Sequence, residues 1–194
     1  MSSYDYHLSS SAVHEAGHSI AAYATGSRSV QCQITEPVHT SHQPAGSDPL
    51  VGLVHSAAGW VAERSLSSRP GPWPWEGSAD AASAATVLAT FPVARREVVW
   101  QHALTETSRL VAQYATPIRL LAGHLDQAGL AWDDTVSHIC TACGLSRGGF
   151  RPRPIPSAPT APRQAAAALI IRRPRHAAWW HNGGSTGIIR RPCP

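Results

Sequence analysis

The 194-residue chain contains no lysine: all 16 of its basic residues are arginine. That absence excludes a phosphate-binding P-loop, a Schiff-base lysine and an aminotransferase-type site, each of which needs the ε-ammonium group. Charge is sparse throughout, at 14% of residues, and the chain holds only two Phe and one Met. The longest apolar run, residues 165–171, is far short of the roughly 18 residues a membrane span requires. The first ten residues, MSSYDYHLSS, have neither a basic stretch nor an apolar core, so the sequence predicts no secretory leader and a cytoplasmic protein without membrane contact. Four cysteines stand at 32, 140, 143 and 193. Cys140 and Cys143 form a CxxC with no second pair to complete a structural zinc site, and read as small residues at a helix end.

What is present divides unevenly. Residues 1–143 carry all 12 acidic residues against seven Arg, whereas residues 144–194 carry nine Arg and no acid. Half of the 16 prolines also fall in that last stretch. Such a composition cannot bury enough apolar surface to offset its ordering entropy. The sequence therefore predicts a body over 1–143 and a disordered Arg/Pro-rich tail over 144–194. The tail reads as a solvated extension, with weak electrostatic contact to nucleic acid as its one alternative use.

Within the body, apolar or small residues at Val13, Ala16, Gly17, Ile20, Ala21 and Ala24 recur near a 3.6 period. With Ser10 or Ser11 as cap and Gly26 as stop, they predict a helix over 10–26. Residues 29–35 alternate and predict a short edge strand before Pro37. Residues 36–49 read as a loop. Helices follow over 50–66, from Ser78 to Ala89, 93–115, from Pro117 to Ala128, and from Asp133 or Asp134 to Cys140. The fold class expected is mainly α, with one or two short strands. Trp60, Trp100 and Trp132 fall on faces that should be buried. Trp73 and Trp75 lie in a Pro-rich loop and read as packing residues or as a wall of a cleft.

The chemically informative segment is His14-Glu15-Ala16-Gly17-His18, an HExxH on the first helix. Side chains four apart sit about 40° apart around a helix and ~6 Å along it, so both imidazoles address one point. Two of zinc's tetrahedral positions need that arrangement. Glu15, one step round, can take a proton from a water at the open position and pass it to a leaving amine. At this chain's His and Glu content the pattern arises by chance with a probability of roughly 2%. The longer HExxHxxGxxH form is absent, because Ala21 and Ala24 stand where Gly and His would be. Candidates for the third ligand are Glu36, His39, His42, His55, Glu63, Glu76 and Asp80. Asp80, at a helix start after Gly77 and Ser78, and Glu63 remain close on these grounds. His39, His42 and His55 also come into view as oxyanion donors, but read more simply as loop or helix-surface histidines.

The segments AVHEAGHSIAAYATG, AAGWVAERSL and GSADAASAATVLA, in that order, resemble the peptidase domain of FtsH-type ATP-dependent zinc metalloproteases, over about residues 10–130. The resemblance implies a zincin-like helical peptidase with Zn2+ held by His14, His18 and Asp80, Glu15 as general base, and Glu63 in a supporting role behind the ligands. Ser78-Ala79-Asp80 departs from that family's commoner Ser-Asn-Asp, and this sequence carries no ATPase module. The activity implied is ATP-independent cleavage of a flexible peptide or unfolded protein, with a delivery partner as an option. The strand at residues 30–34, read as an exposed edge, either pairs with an extended substrate by strand addition or simply covers the core. The alternative is a catalytically idle zinc-binding regulatory or interaction module of the same fold.

Overall fold

Helix α1, Ser10–Ala24, is buried on nearly every side, and most of the other elements pack around it. The computed structural model describes residues 8–68 and 75–156, and it is mainly helical. Ser9 caps α1 by accepting the Ala12 N–H, and Gly26 follows the helix end at a positive φ of 99°. The helix is covered by α2 (Pro49–Leu66), α5 (Ala115–Ala128) and strand β1 (Arg28–Gln33). Close approach to α2 depends on Gly17: a Cβ there would lie 2.6 Å from the Ala62 Cβ and 2.7 Å from the Ala58 carbonyl oxygen. Small residues at 17, 58 and 62 thus let two backbones meet where larger side chains would hold them apart.

Helices α3 (Ala79–Ala89) and α4 (Val93–Gln113) pack on the far side of α2. Helix α5 runs on from α4 and is closed by Gly129 at φ 74°. The last helix, α6, spans Asp133–Ala142. Leu53, Val54, Leu110, Ile118, Leu121 and Leu125 form much of the core beside the apolar positions of α1. Among the described residues no helix is long and apolar enough to cross a membrane.

Four expectations change. Residues 36–49 are not all loop: strand β2, His39–Gln43, pairs antiparallel with β1, and β3 (Leu130–Ala131) pairs with β1 on its other side. The order β2-β1-β3 puts β1 in the middle of the sheet, so the edge beside α1 belongs to β2. The sequence hides β2 because HTSHQ has no apolar alternation. It is held by main-chain pairing, and its side chains are half-buried or exposed.

Trp132 is 56% exposed rather than buried. Ala131 takes the inward position at the end of β3, and alternation along the strand turns the next side chain outward.

The body also extends past residue 143, as far as Pro156. The α1 carbonyls left without helical partners are met from this segment: Gly148 N–H donates to Tyr23 (3.1 Å) and Phe150 N–H to Ala24 (2.9 Å). Phe150 is buried against Tyr114, and Arg147 donates to Asp133 (2.8 Å) and to the Ser27 carbonyl. Arg147 and Arg153, which look like solvated tail in the sequence, here find the carboxylates of Asp133 and Glu106. The rest of the expected tail, 157–194, and Trp73 lie outside the described residues.

Candidate metal centre

Three side chains from two helices converge on one point. His14 and His18 project from the same face of α1, and Asp80 comes from the first turn of α3. The His14 Nε2, His18 Nε2 and Asp80 Oδ2 atoms form a triangle, with each pair 3.1 Å apart. Tetrahedral zinc with bonds of 2.0–2.1 Å needs donor atoms about 3.3 Å apart, so the triangle is of the right size to cap such an ion on one side. Among the described residues this is the one group of three His, Cys, Asp or Glu side chains so placed.

The outer contacts fix which nitrogen faces the centre. His14 Nδ1 lies 3.2 Å from Glu63 Oε2, and His18 Nδ1 lies 2.8 Å from the His55 carbonyl oxygen. Both partners only accept, so each Nδ1 carries the hydrogen and each Nε2 presents a lone pair to the centre. Two lone pairs and a carboxylate oxygen then meet with no donor among them, an arrangement that calls for a cation. A proton on an imidazole is the other positive charge that the cluster favours, in competition with a metal ion. Burial resists charge on His18, but the hydrogen bond and charge of Asp80, together with the charge of Glu15, raise its pKa overall. Burial likewise works against an ionised Asp80, yet the two imidazoles hold its carboxyl well below the usual range.

Glu63 is buried and lies behind His14: its Oε1 accepts from Ser10 Oγ at 2.6 Å and its Oε2 faces His14 Nδ1. The imidazole ring separates it from the triangle. Gly59 is the backing residue for the whole pair. A Cβ at that position would fall 2.6 Å from His14 Cδ2 and closer still to His18 Nε2, so only glycine lets α2 pass behind both rings.

Glu15 is buried, 6% exposed, and its Oε2 accepts the hydroxyl of Thr40 at 2.7 Å. The Thr40 hydroxyl also lies 3.2 Å from the Glu15 carbonyl, which Ser19 Oγ contacts at 2.9 Å. Edge strand β2 is thereby tied to the HExxH helix at its acid. Sequence reasoning missed Thr40, Gly59 and the role of the His55 carbonyl. The spacing between β1 and residue 39, with Pro37 in it, is a hairpin-length gap that could have pointed to β2 and so to Thr40.

Of the other candidates, His39 Nδ1 turns to the Pro37 carbonyl (2.8 Å), and Glu76 is exposed. His42 and His55 stack edge-on at 4.7 Å, and His55 Nε2 is hydrogen-bonded to Thr25 Oγ1 at 2.6 Å. His55 is half-buried: burial, reinforced by the charges of His42 and His18, pushes its pKa down to about 3. Cys140 is buried at the end of α6 and Cys143 caps it, with neither near the triangle. Comparison with protein-family models and with curated proteins finds no match to this chain.

Proposed function

We propose that the protein is a zinc-dependent peptidase in which His14, His18 and Asp80 hold the ion and Glu15 is the general base. The observation that carries this reading is the triangle of donor atoms, 3.1 Å on each side, whose two imidazoles turn their protons outward to Glu63 and the His55 carbonyl. When bound there, zinc supplies Lewis-acid polarisation of a carbonyl and lowers the pKa of a water towards ~7.

The remaining work falls to this chain's own groups. Glu15 takes the proton of the attacking water and returns it to the departing amine. The Thr40 hydroxyl donates to Oε2 and so fixes the orientation of the carboxylate for that transfer. A purely structural site would have no use for a buried carboxylate oriented in this way, which favours an enzyme over an idle zinc-binding module. The outer edge of β2 replaces residues 30–34 as the place where an extended peptide pairs, since β1 is flanked on both sides. The substrate class is accordingly a flexible peptide or an unfolded segment.

The test combines metal analysis and proteolysis on the full chain. About one zinc per chain, with cleavage of an unstructured peptide that disappears in Glu15→Gln while zinc is retained, supports the reading. A protein that takes up no zinc on reconstitution, or one that cleaves equally well as Glu15→Gln, overturns it.

A further inference from the structure

The third corner of the triangle is carried by a short helix with little apolar anchorage of its own. Helix α3 has 11 residues, and its buried side chains are Ala81, Ala84 and Leu88, so its own apolar anchorage is small. What fixes its first turn lies just upstream. The Trp75 carbonyl accepts both the N–H (3.2 Å) and the O–H (2.8 Å) of Ser78, and Ser78 Oγ in turn accepts the Ala81 N–H at 3.1 Å. Gly77, at φ 84°, closes the turn between them. Asp80 is the second residue of the helix so capped.

The Trp75 side chain is itself held. Its indole stacks on Trp100 of α4, with centroids 5.2 Å apart and planes at 27°. On another side it meets Trp60 of α2 at 6.0 Å and 59°. Trp60 directly follows Gly59, the residue that backs both imidazoles, and Arg64 lies over the Trp60 ring at 5.2 Å. One aromatic stack therefore bears on the wall behind His14 and His18 and on the turn that delivers Asp80. Large flat rings with few rotatable bonds suit this task, because stacking fixes their position at little entropic cost.

We infer that Trp75, clamped between Trp60 and Trp100, is a positioning residue for the metal centre: through its carbonyl and Ser78 it sets the reach of Asp80 towards His14 and His18. The inference rests on the zinc reading above and adds to it the element that makes the third ligand competent.

The experiment is competition of the full-length chain against a chromophoric zinc chelator, with far-UV circular dichroism to confirm folding. Trp75→Ala is expected to weaken zinc binding about 10- to 100-fold, the range seen when groups supporting a ligand are removed. Trp75→Phe should restore most of the affinity. Trp100→Ala, which removes the ring stacked on Trp75, should weaken it in the same direction. In an Asp80→Ala background, Trp75→Ala should change the residual affinity by less than about twofold, because its target is gone. Affinity within twofold of the parent for both Trp75→Ala and Trp100→Ala overturns the inference and leaves the metal site standing. An equal loss with and without Asp80 also overturns it, by showing general damage rather than positioning. A parent chain that binds no zinc removes the metal reading itself, and the inference with it.

Discussion

Glu63 and Asp80 hold opposite nitrogens of the same imidazole: Glu63 faces Nδ1 of His14 at 3.2 Å and Asp80 faces Nε2 at 3.1 Å. Two carboxylates that spacing alone could not rank are thereby given different work. On the proposed zinc reading, Asp80 is a ligand to the ion, and Glu63 sets the tautomer and orientation of one. Asp80→Ala should abolish most zinc binding, while Glu63→Gln should weaken it about 10- to 100-fold without eliminating it, by chelator competition. Comparable losses in the two variants would contradict this division.

Gly59 gives a second, purely steric prediction. A methyl group there would sit inside contact distance of both His rings, on a buried and well-packed helix. The rings cannot retreat without giving up Glu63 and the His55 carbonyl. Gly59→Ala should therefore cost zinc affinity at least as heavily as Glu63→Gln and lower stability by about 1–3 kcal/mol, the range for overpacking. Gly17→Ala, whose clash is with α2 backbone at Ala58 and with Ala62, should lower the melting temperature as well. Thermal denaturation of both variants, with and without zinc, separates the two effects.

The helices are legible in the sequence because their signals are local. Ser78, Gly26 and Gly129 mark helix ends, and the apolar period of α1 gives its buried face. The HExxH geometry follows from helical spacing, which is why His14 and His18 face one point as expected. What is not legible depends on distant partners. Strand β2 has polar residues at every position and exists through its pairing with β1, so no pattern within it announces a strand. Trp60, Trp75 and Trp100 come from two helices and a loop, and only the fold makes them a stack. Residues 144–156 are polar and Arg-rich, but their order comes from carbonyls at the end of α1 and from carboxylates on α4 and α6.

Thr40 supplies a prediction that tests the base rather than the metal. Its hydroxyl donates to Glu15 Oε2 at 2.7 Å from the edge strand. Glu15→Gln should lower peptide cleavage by about 10²- to 10⁴-fold with zinc content unchanged. Thr40→Val keeps the shape but removes the donor, leaving Glu15 able to accept a proton in a less defined orientation. Cleavage should fall about tenfold, through kcat more than KM. A Thr40→Val protein with parental kcat would show that the hydroxyl only fastens β2 to α1.

The segment beyond residue 143 is fastened by Glu106, a fully buried carboxylate on α4. It accepts from Arg109 (2.7 and 3.1 Å), from the Arg153 side chain (2.6 Å) and from the Arg153 N–H (3.0 Å). Burial alone would raise its pKa, but these hydrogen bonds and the Arg109 charge hold it down to about 2, from an ordinary value of 4.5. Because the folded-state value is the lower one, the ionised carboxylate stabilises the fold fully above about pH 4.5, and that contribution is lost as pH falls towards 2. Glu106→Gln should cost about 2 kcal/mol at pH 6–7, a moderate figure because Arg153 is itself well exposed. Urea denaturation of parent and variant across pH 2–7 provides the check. The stability gap between them should be constant above pH 5 and close progressively below it, whatever the other carboxylates contribute to both proteins. A gap that persists undiminished at pH 2.5 would mean that Glu106 acts through packing and not through its charge.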